Sequence, residues 1–256
     1  MITALSQRLH AKSAAMLLQI ENRLDRILMG WLLVAGMISA LRIAFAPVRH
    51  GPVEFGAVLP YVLLILAPFI TTLLALRWFR DGDTMEQPSM RLAIVGKWRN
   101  VAPAEARRHA LYGTSGIMVS LLVGMMLNVP VRALEFFTIM PPVPSSAPQW
   151  LLTLRFAMTL DVVLFTSLYM VAFVAALRRV PLFPRLLAAI WIADLAMQLG
   201  IAQMVSREAL PAGVGDALGG LLEGNTKKVL ISVAIWLPYL LLSRRVNVTY
   251  RQRIPA

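Results

Sequence analysis

The sequence predicts an all-α membrane protein, a bundle of six transmembrane helices preceded by an amphipathic interfacial helix. Of its 256 residues, 58% are hydrophobic and only 15% are charged, whereas soluble domains have roughly 45–50% apolar and about 25% charged residues. The apolar residues form six long runs, and basic residues lie between alternate runs. One globular core of this length cannot bury so much apolar surface, which excludes an ordinary soluble enzyme, a disordered regulator and a secreted disulfide scaffold.

Residues 1–26 predict the interfacial helix. Apolar residues recur there at spacings of four or seven, with basic residues between them. The apolar positions are Leu5, Leu9, Met16, Ile20 and Leu24. This pattern predicts a helix with a basic face that lies among lipid headgroups, and the alternative is a solvated helix packed on the bundle.

The six runs that follow are each bounded by a proline or by charged residues, and they are long enough to be spans. They are 27–46, 57–76, 110–129, 151–177, 186–205 and 229–243. A hydrocarbon core about 30 Å thick needs about 20 helical residues, and backbone groups in lipid must be paired within the helix. The last run is short and contains Pro238, and we expect flanking cations to snorkel to the interface.

The connections carry three further expectations. The long loop 77–109 is predicted to contain a helix near residues 90–99. The loop 130–150 is expected to begin with an amphipathic turn at 131–140. Residues 206–228 are rich in glycine and predict a connecting loop.

Basic residues predict the orientation of the spans. With the N-terminus inside, cytoplasmic segments hold 18 Lys and Arg residues and the remainder of the chain holds seven. This positive-inside bias predicts a multi-pass membrane protein with cytoplasmic N- and C-termini, and with residues 244–256 as a basic cytoplasmic tail. The basic residues mark successive loops instead of one soluble face, so the net charge of +12 indicates contact with anionic lipid headgroups and not with nucleic acid.

Two acids lie deep in apolar runs and are the strongest site candidates. Asp161 and Asp194 fall near the middle of sequential spans, and Gln198 follows Asp194 by one helical turn. A central Asp costs about 2.5–3.5 kcal/mol on insertion scales, so such residues face the bundle interior. We predict one polar cluster, which serves either a proton-coupled or polar-solute pathway or a hydrogen-bonded contact between two helices.

Two arginines lie within the outer halves of the first and fourth spans. If Arg42 and Arg155 point inward, they form a basic vestibule for a phosphate or carboxylate, and Arg49 and Arg132 can join them. If they snorkel outward, they are plain interfacial anchors.

A short motif raises an enzymatic alternative. Gly213-Val-Gly-Asp216 resembles the Gly-x-Gly-Asp pattern of intramembrane aspartyl proteases, in which two Asp side chains activate water. The predicted outer loop is the wrong place for that family's acids, and a glycine-rich connector is the other interpretation. No cysteine is present and no histidine lies within a predicted span, so neither a metal site nor a cofactor is predicted.

The C-terminal segment carries a second resemblance. Residues 235–250 are similar to the closing helix of a family of small, functionally uncharacterised bacterial inner-membrane proteins, which typically ends Trp-x-Pro-Tyr and continues with Ser-x-Arg-Val and Thr-Phe. The matching residues are Trp236, Pro238, Tyr239, Ser243, Arg245, Val246 and Thr249, with Tyr250 in place of Phe. The resemblance implies a multi-pass protein of the bacterial inner membrane and assigns no activity.

These observations predict a non-enzymatic function. The protein either binds or transports a small anionic or lipidic molecule, or it is an accessory subunit of a membrane complex. Its expected partners are a bilayer with anionic headgroups and possible neighbouring membrane proteins. The alternative function is the aspartyl protease.

Overall fold

The all-α, six-span fold is confirmed by the computed structural model, which describes residues 2–46, 54–91 and 95–256, with the backbone alone for residues 2–10. Within these residues, six helices are long and apolar enough to cross a membrane. These spans are α1 (Ile2–Ala44), α2 (Phe55–Trp78), α4 (Ile117–Ile139), α5 (Gln149–Leu177), α6 (Phe183–Val205) and α7 (Val214–Leu242). The remaining elements are α3 (Pro103–Arg108), α8 (Arg244–Arg251) and the strands β1 (Trp98–Asn100) and β2 (Arg253–Pro255).

Helix α5 is the central helix of the bundle. It packs against α2, α4 and α6, while α1 packs on α2 and α4, and α7 packs on α6. Ala172, Ala175 and Ala176 of α5 are fully buried. Small side chains of this kind allow neighbouring helices to approach closely, so α5 can carry a polar side chain into the middle of the protein.

Both strands and α8 lie at one end of the bundle, which we call the sheet end. There β1 pairs with β2 in an antiparallel ladder, with Asn100 opposite Arg253. The segment predicted as a basic cytoplasmic tail, residues 244–256, is folded as α8 and β2. Its apolar side chains Val246, Val248 and Tyr250 are buried, which supplies the physical reason.

The buried end of α8 is held by hydrogen bonds. The Tyr250 hydroxyl donates to the Ala176 carbonyl oxygen at 2.9 Å, and the Arg251 guanidinium donates to the Leu240 carbonyl oxygen at 2.9 Å. Burial lowers the pKa of Arg251 to about 10, with smaller contributions from the positive charges of Arg253 and Arg185. The charge of Arg251 is thus retained at neutral pH and satisfied by backbone.

Two helices begin or extend differently from the predicted boundaries. Helix α1 runs from Ile2 to Ala44 without a break, so the predicted interfacial helix, where it is described, is continuous with the first span. Helix α7 begins at Val214, and not at residue 229, after Gly213 adopts a left-handed φ of 82°. Because Leu218 and Leu222 are buried, packing maintains the helix through the glycine-rich segment, and the sixth span is not short.

Helix α4 is displaced relative to the predicted third span, which ended at residue 129. It starts at Ile117 and continues through Pro130 to Ile139, so the expected separate turn at 131–140 belongs to the span. A proline removes one backbone hydrogen bond, and neighbouring helices in a membrane compensate for that loss. The helix predicted near residues 90–99 is also wrong in its last part, because Trp98–Asn100 form the strand β1.

Candidate functional site

The continuation of α4 past Pro130 carries Arg132 into the interior of the bundle. Its Nη1 donates to Asp161 Oδ2 of α5 at 2.9 Å, and its Nη2 donates to Asp194 Oδ2 of α6. Arg132 is 9% exposed, Asp161 5% and Asp194 0%. These three side chains, which we call the buried triad, form ion pairs that join three helices within the apolar spans.

Two further side chains complete the hydrogen bonding of the triad. Gln198 Nε2 donates to Asp161 Oδ1 at 3.0 Å and lies 3.4 Å from Asp194 Oδ1. The Tyr169 hydroxyl donates to Asp194 Oδ2 at 3.1 Å. The structure thus brings together Asp161, Asp194 and Gln198, the three residues that the sequence placed in one cluster.

Aromatic rings enclose the cation of the triad. The Arg132 guanidinium carbon lies 5.1 Å from the centroid of the Phe165 ring and 5.9 Å from that of Tyr169. Rings at this range attract a cation through their quadrupole. The pocket around Arg132 therefore stabilises positive charge from two sides, by carboxylates and by aromatic faces.

The formal charges of the triad do not cancel. One guanidinium faces two carboxyl groups, so the triad carries a net charge of −1 when both acids are ionised and is neutral when one proton is bound. A net charge buried in an apolar bundle is costly. Gln198 Oε1 is buried and accepts no hydrogen bond within the described part of the chain, which leaves an acceptor beside the two carboxyl groups.

A small opening between α4, α5 and α7, which we call the lateral notch, reaches the triad from the protein surface. Its volume is about 50 Å³, and its lining includes Asn128, Arg132, Tyr169, Asn225 and Lys228. A polar cavity needs about 10–15 Å³ for each water, so the notch has room for a few water molecules. Asn128 Oδ1, buried and without a partner among the described residues, is suited to hold one of them.

A second ion pair lies at the mouth of the notch. Lys228 of α7 contacts Glu135 of α4, and its Nζ donates to Asn225 Oδ1 at 3.3 Å. The Lys228 side chain is 55% exposed. A half-exposed cation thus marks the entrance, and the buried Arg132 lies at the inner end.

The other predicted basic residues occupy different positions. Arg155 Nη1 donates to the Val143 carbonyl oxygen at 2.5 Å and to the Gly56 carbonyl oxygen at 3.5 Å, the latter being the carbonyl that Pro60 leaves without its helical partner. Arg42 lies in the last turn of α1. Neither forms an ion pair with the triad, and Arg49 lies outside the described residues. An anion-binding role for Arg42 and Arg155 stays a prediction.

The acid of the Gly-x-Gly-Asp motif is remote from the triad. Asp216 is exposed in the first turn of α7, twelve residues or about 18 Å along the helix from Lys228. Asp161 and Asp194 pair through Arg132 and Gln198, and not with Asp216. Within the described ranges, no group of three or more His, Asp or Glu is arranged to hold a metal ion.

Sequence analysis missed the role of Arg132. The apolar run predicts that the third span ends before Pro130, which assigns Arg132 to a loop. The available signal was the apolar, helix-like pattern of residues 131–139, which continues the preceding run in phase. Prolines are more frequent in transmembrane helices than in soluble ones, so this pattern allows a helix through Pro130, and the contacts with neighbouring helices decide between a helix and a turn.

No protein-family model, curated protein or solved structure matches the chain. The resemblance of residues 235–250 to a bacterial membrane-protein family therefore stays a prediction. In the structure, several of its residues hold the sheet end together. Arg245 Nη1 donates to Ser115 Oγ at 2.9 Å, and the Gly113 backbone N–H donates to Thr249 Oγ1 at 3.0 Å.

Proposed function

We propose that the protein is a non-enzymatic protein of the bacterial inner membrane, with both termini cytoplasmic, that binds or transports a small anion under the control of protons. Arg132 is the anion-binding group, and Asp161 and Asp194 are its exchangeable counter-ions. The observation that carries the proposal is that one guanidinium contacts both carboxyl groups and also lines the lateral notch.

The mechanism follows from competition for one cation. With both acids ionised, Arg132 is fully occupied and the triad has no positive charge to offer. Protonation of the acids removes their attraction for the guanidinium, and Arg132 then offers paired donors to a carboxylate or phosphate. Lys228 at the mouth of the notch supplies a second positive charge, provided that Glu135 releases it.

The proposal predicts pH-dependent anion binding by the purified protein in lipid nanodiscs. Succinate or inorganic phosphate is expected to raise the midpoint of thermal unfolding by several degrees at pH 5 and by much less at pH 8. Asp161→Asn/Asp194→Asn, which mimics the protonated acids, is expected to respond at pH 8 as the wild type does at pH 5. Tryptophan fluorescence during heating measures both midpoints.

Two further variants make this experiment decisive. The triple variant Arg132→Gln/Asp161→Asn/Asp194→Asn keeps neutral polar groups but lacks the cation, and it is expected to show no anion response. Lys227→Gln, at an exposed residue that pairs with Glu223 on α7, is the matched control and retains the response. Anion responses that are absent at both pH values, or equal in the triple variant and the wild type, contradict the proposal.

An accessory subunit is the second candidate, and the tight packing of the site favours it. Asp194 is fully buried, and the notch has a volume of only about 50 Å³. In that case the triad serves to hold α4, α5 and α6 together. This alternative predicts no anion response at any pH and a stoichiometric second protein that remains bound when membranes are solubilised gently.

The protease alternative makes a distinct prediction for Asp216. We expect Asp216→Asn to leave the anion response unchanged and to lower the free energy of unfolding by no more than about 1 kcal/mol, the usual effect of an acid at a helix N-terminus. The reason is that Asp216 is exposed and remote from the other acids. If the wild type cleaves a membrane-spanning reporter peptide and D216N does not, the protease replaces the present proposal.

A further inference from the structure

An apolar pocket lies between α1, α2 and α4, away from the triad. Its volume is about 290 Å³, near the lower end of the roughly 300–1,000 Å³ of small-molecule sites. Residues that define it include Ile27, Gly30, Val34, Pro68 and Pro130. No charged side chain belongs to the lining, so the pocket is suited to a hydrocarbon chain.

The shape of the pocket is set by small and rigid residues. A Cβ at Gly30 would meet no atom within 4 Å, so the missing side chain is part of the open space. Trp31 forms one wall, because its indole N–H donates to the Ile65 carbonyl oxygen at 3.0 Å. The cavity is therefore held open by fixed groups.

Two arginines precede the pocket on the same side of α1. Arg23 lies four residues before Ile27 and seven before Gly30, spacings that place it on the pocket face of the helix. Arg26 lies four residues before Gly30 and flanks that face. Both side chains are exposed, and neither forms an ion pair in the described part of the chain.

The acids nearby do not neutralise these arginines. At about 100° per residue, Glu21 and Asp25 each lie about 160° around α1 from Arg23. The facing helix α4 carries no acid between Ile117 and Leu134. The pocket side of α1 is thus positively charged, and among the described residues no carboxylate forms an ion pair with Arg23 or Arg26.

The depth of Arg23 places this charge close to lipid. Trp31 meets Ile65 of α2, and the two helices run antiparallel, so Arg23 lies beside roughly residue 73, before α2 ends at Trp78. An arginine at this level reaches toward the headgroup region, where lipid phosphates are the available anions.

We propose that Arg23, Arg26 and the apolar pocket form a binding site for one anionic phospholipid. One acyl chain fills the pocket, and the phosphate pairs with the Arg23 guanidinium. The seven residues from Arg23 to Gly30 span about 10 Å of helix. This distance separates the charged part of the site from its apolar part, as the phosphate of a phospholipid is separated from its acyl chains. This site is independent of anion binding at Arg132.

Lipid-dependent thermal unfolding of the full-length protein in detergent tests the proposal. Phosphatidylglycerol is expected to raise the unfolding midpoint by several degrees more than phosphatidylcholine with the same chains. Glycerol phosphate, the headgroup without chains, is expected to have no effect. Native mass spectrometry is expected to retain one phosphatidylglycerol per protein.

Three variants separate the two parts of the site. Arg23→Gln/Arg26→Gln is expected to reduce the phosphatidylglycerol response to the phosphatidylcholine level. Gly30→Leu, whose Cβ would have no atom within 4 Å, is expected to abolish the retained lipid while the protein stays folded. Asp25→Asn, on the opposite side of α1, is the matched control and keeps the preference for phosphatidylglycerol.

Three results would overturn the lipid site. The first is an equal response to the two phospholipids. The second is an unchanged preference in the double arginine variant, and the third is full lipid retention in G30L. A response to glycerol phosphate alone indicates a phosphate site that does not use the pocket, and it also contradicts the proposal.

Discussion

Replacing Arg132 by glutamine is expected to lower the free energy of unfolding by about 3–5 kcal/mol, because the substitution leaves two buried carboxyl groups without their cation. Asp161 and Asp194 both depend on the same guanidinium, so one substitution breaks two ion pairs. Denaturant or thermal unfolding in nanodiscs, compared with wild type, measures the loss.

The cost is expected to come from the unpaired charges and not from the missing side chain. The triple variant with Asp161→Asn and Asp194→Asn added to R132Q is therefore expected to recover most of the lost stability. Lys227→Gln, which breaks an exposed pair with Glu223, is expected to cost less than about 1 kcal/mol. A loss of less than about 1 kcal/mol in R132Q, as expected for an exposed pair, contradicts the ion-pair account. A triple variant as unstable as R132Q contradicts it as well.

Tyr250→Ala at the sheet end is expected to cost about 3–5 kcal/mol, as truncation of a buried aromatic residue does. The ring is 1% exposed and packs on Phe183 with centroids 5.0 Å apart. Its loss leaves a cavity where α8 meets α5 and α6. Thermal unfolding of the purified protein gives the magnitude.

The matched variant Tyr250→Phe separates packing from hydrogen bonding. It keeps the ring but removes the donor to the Ala176 carbonyl oxygen, and it is expected to cost about 1 kcal/mol. Equal losses in the two variants would show that the hydrogen bond, and not the buried ring, holds α8 in place.

The sequence was sufficient to predict the six spans and the meeting of the two acids. Both follow from strong local signals, namely the length of apolar runs and the cost of an acid at lipid depth. Gln198 followed from helical spacing alone. These features depend on hydrophobicity and on the helical period, and both can be read from the order of the residues.

The position of Arg132 and the folded tail could not be predicted in the same way. Whether Pro130 ends a helix or lies within it depends on neighbouring helices that compensate for the lost hydrogen bond. The sequence pattern of residues 244–256 predicts a basic tail, whereas in the structure Tyr250 packs between α5 and α6. Both outcomes depend on tertiary contacts that local patterns do not contain.

The pairing of β1 with β2 has a consequence for how the protein is made. The two strands are about 150 residues apart in the chain, and β2 follows the six long apolar helices of the described residues. At a synthesis rate of about 5–20 residues per second, residues 98–100 wait roughly 8–30 s for their partner after leaving the ribosome. The pairing of β1 with β2 thus forms only after the six described spans have been translated.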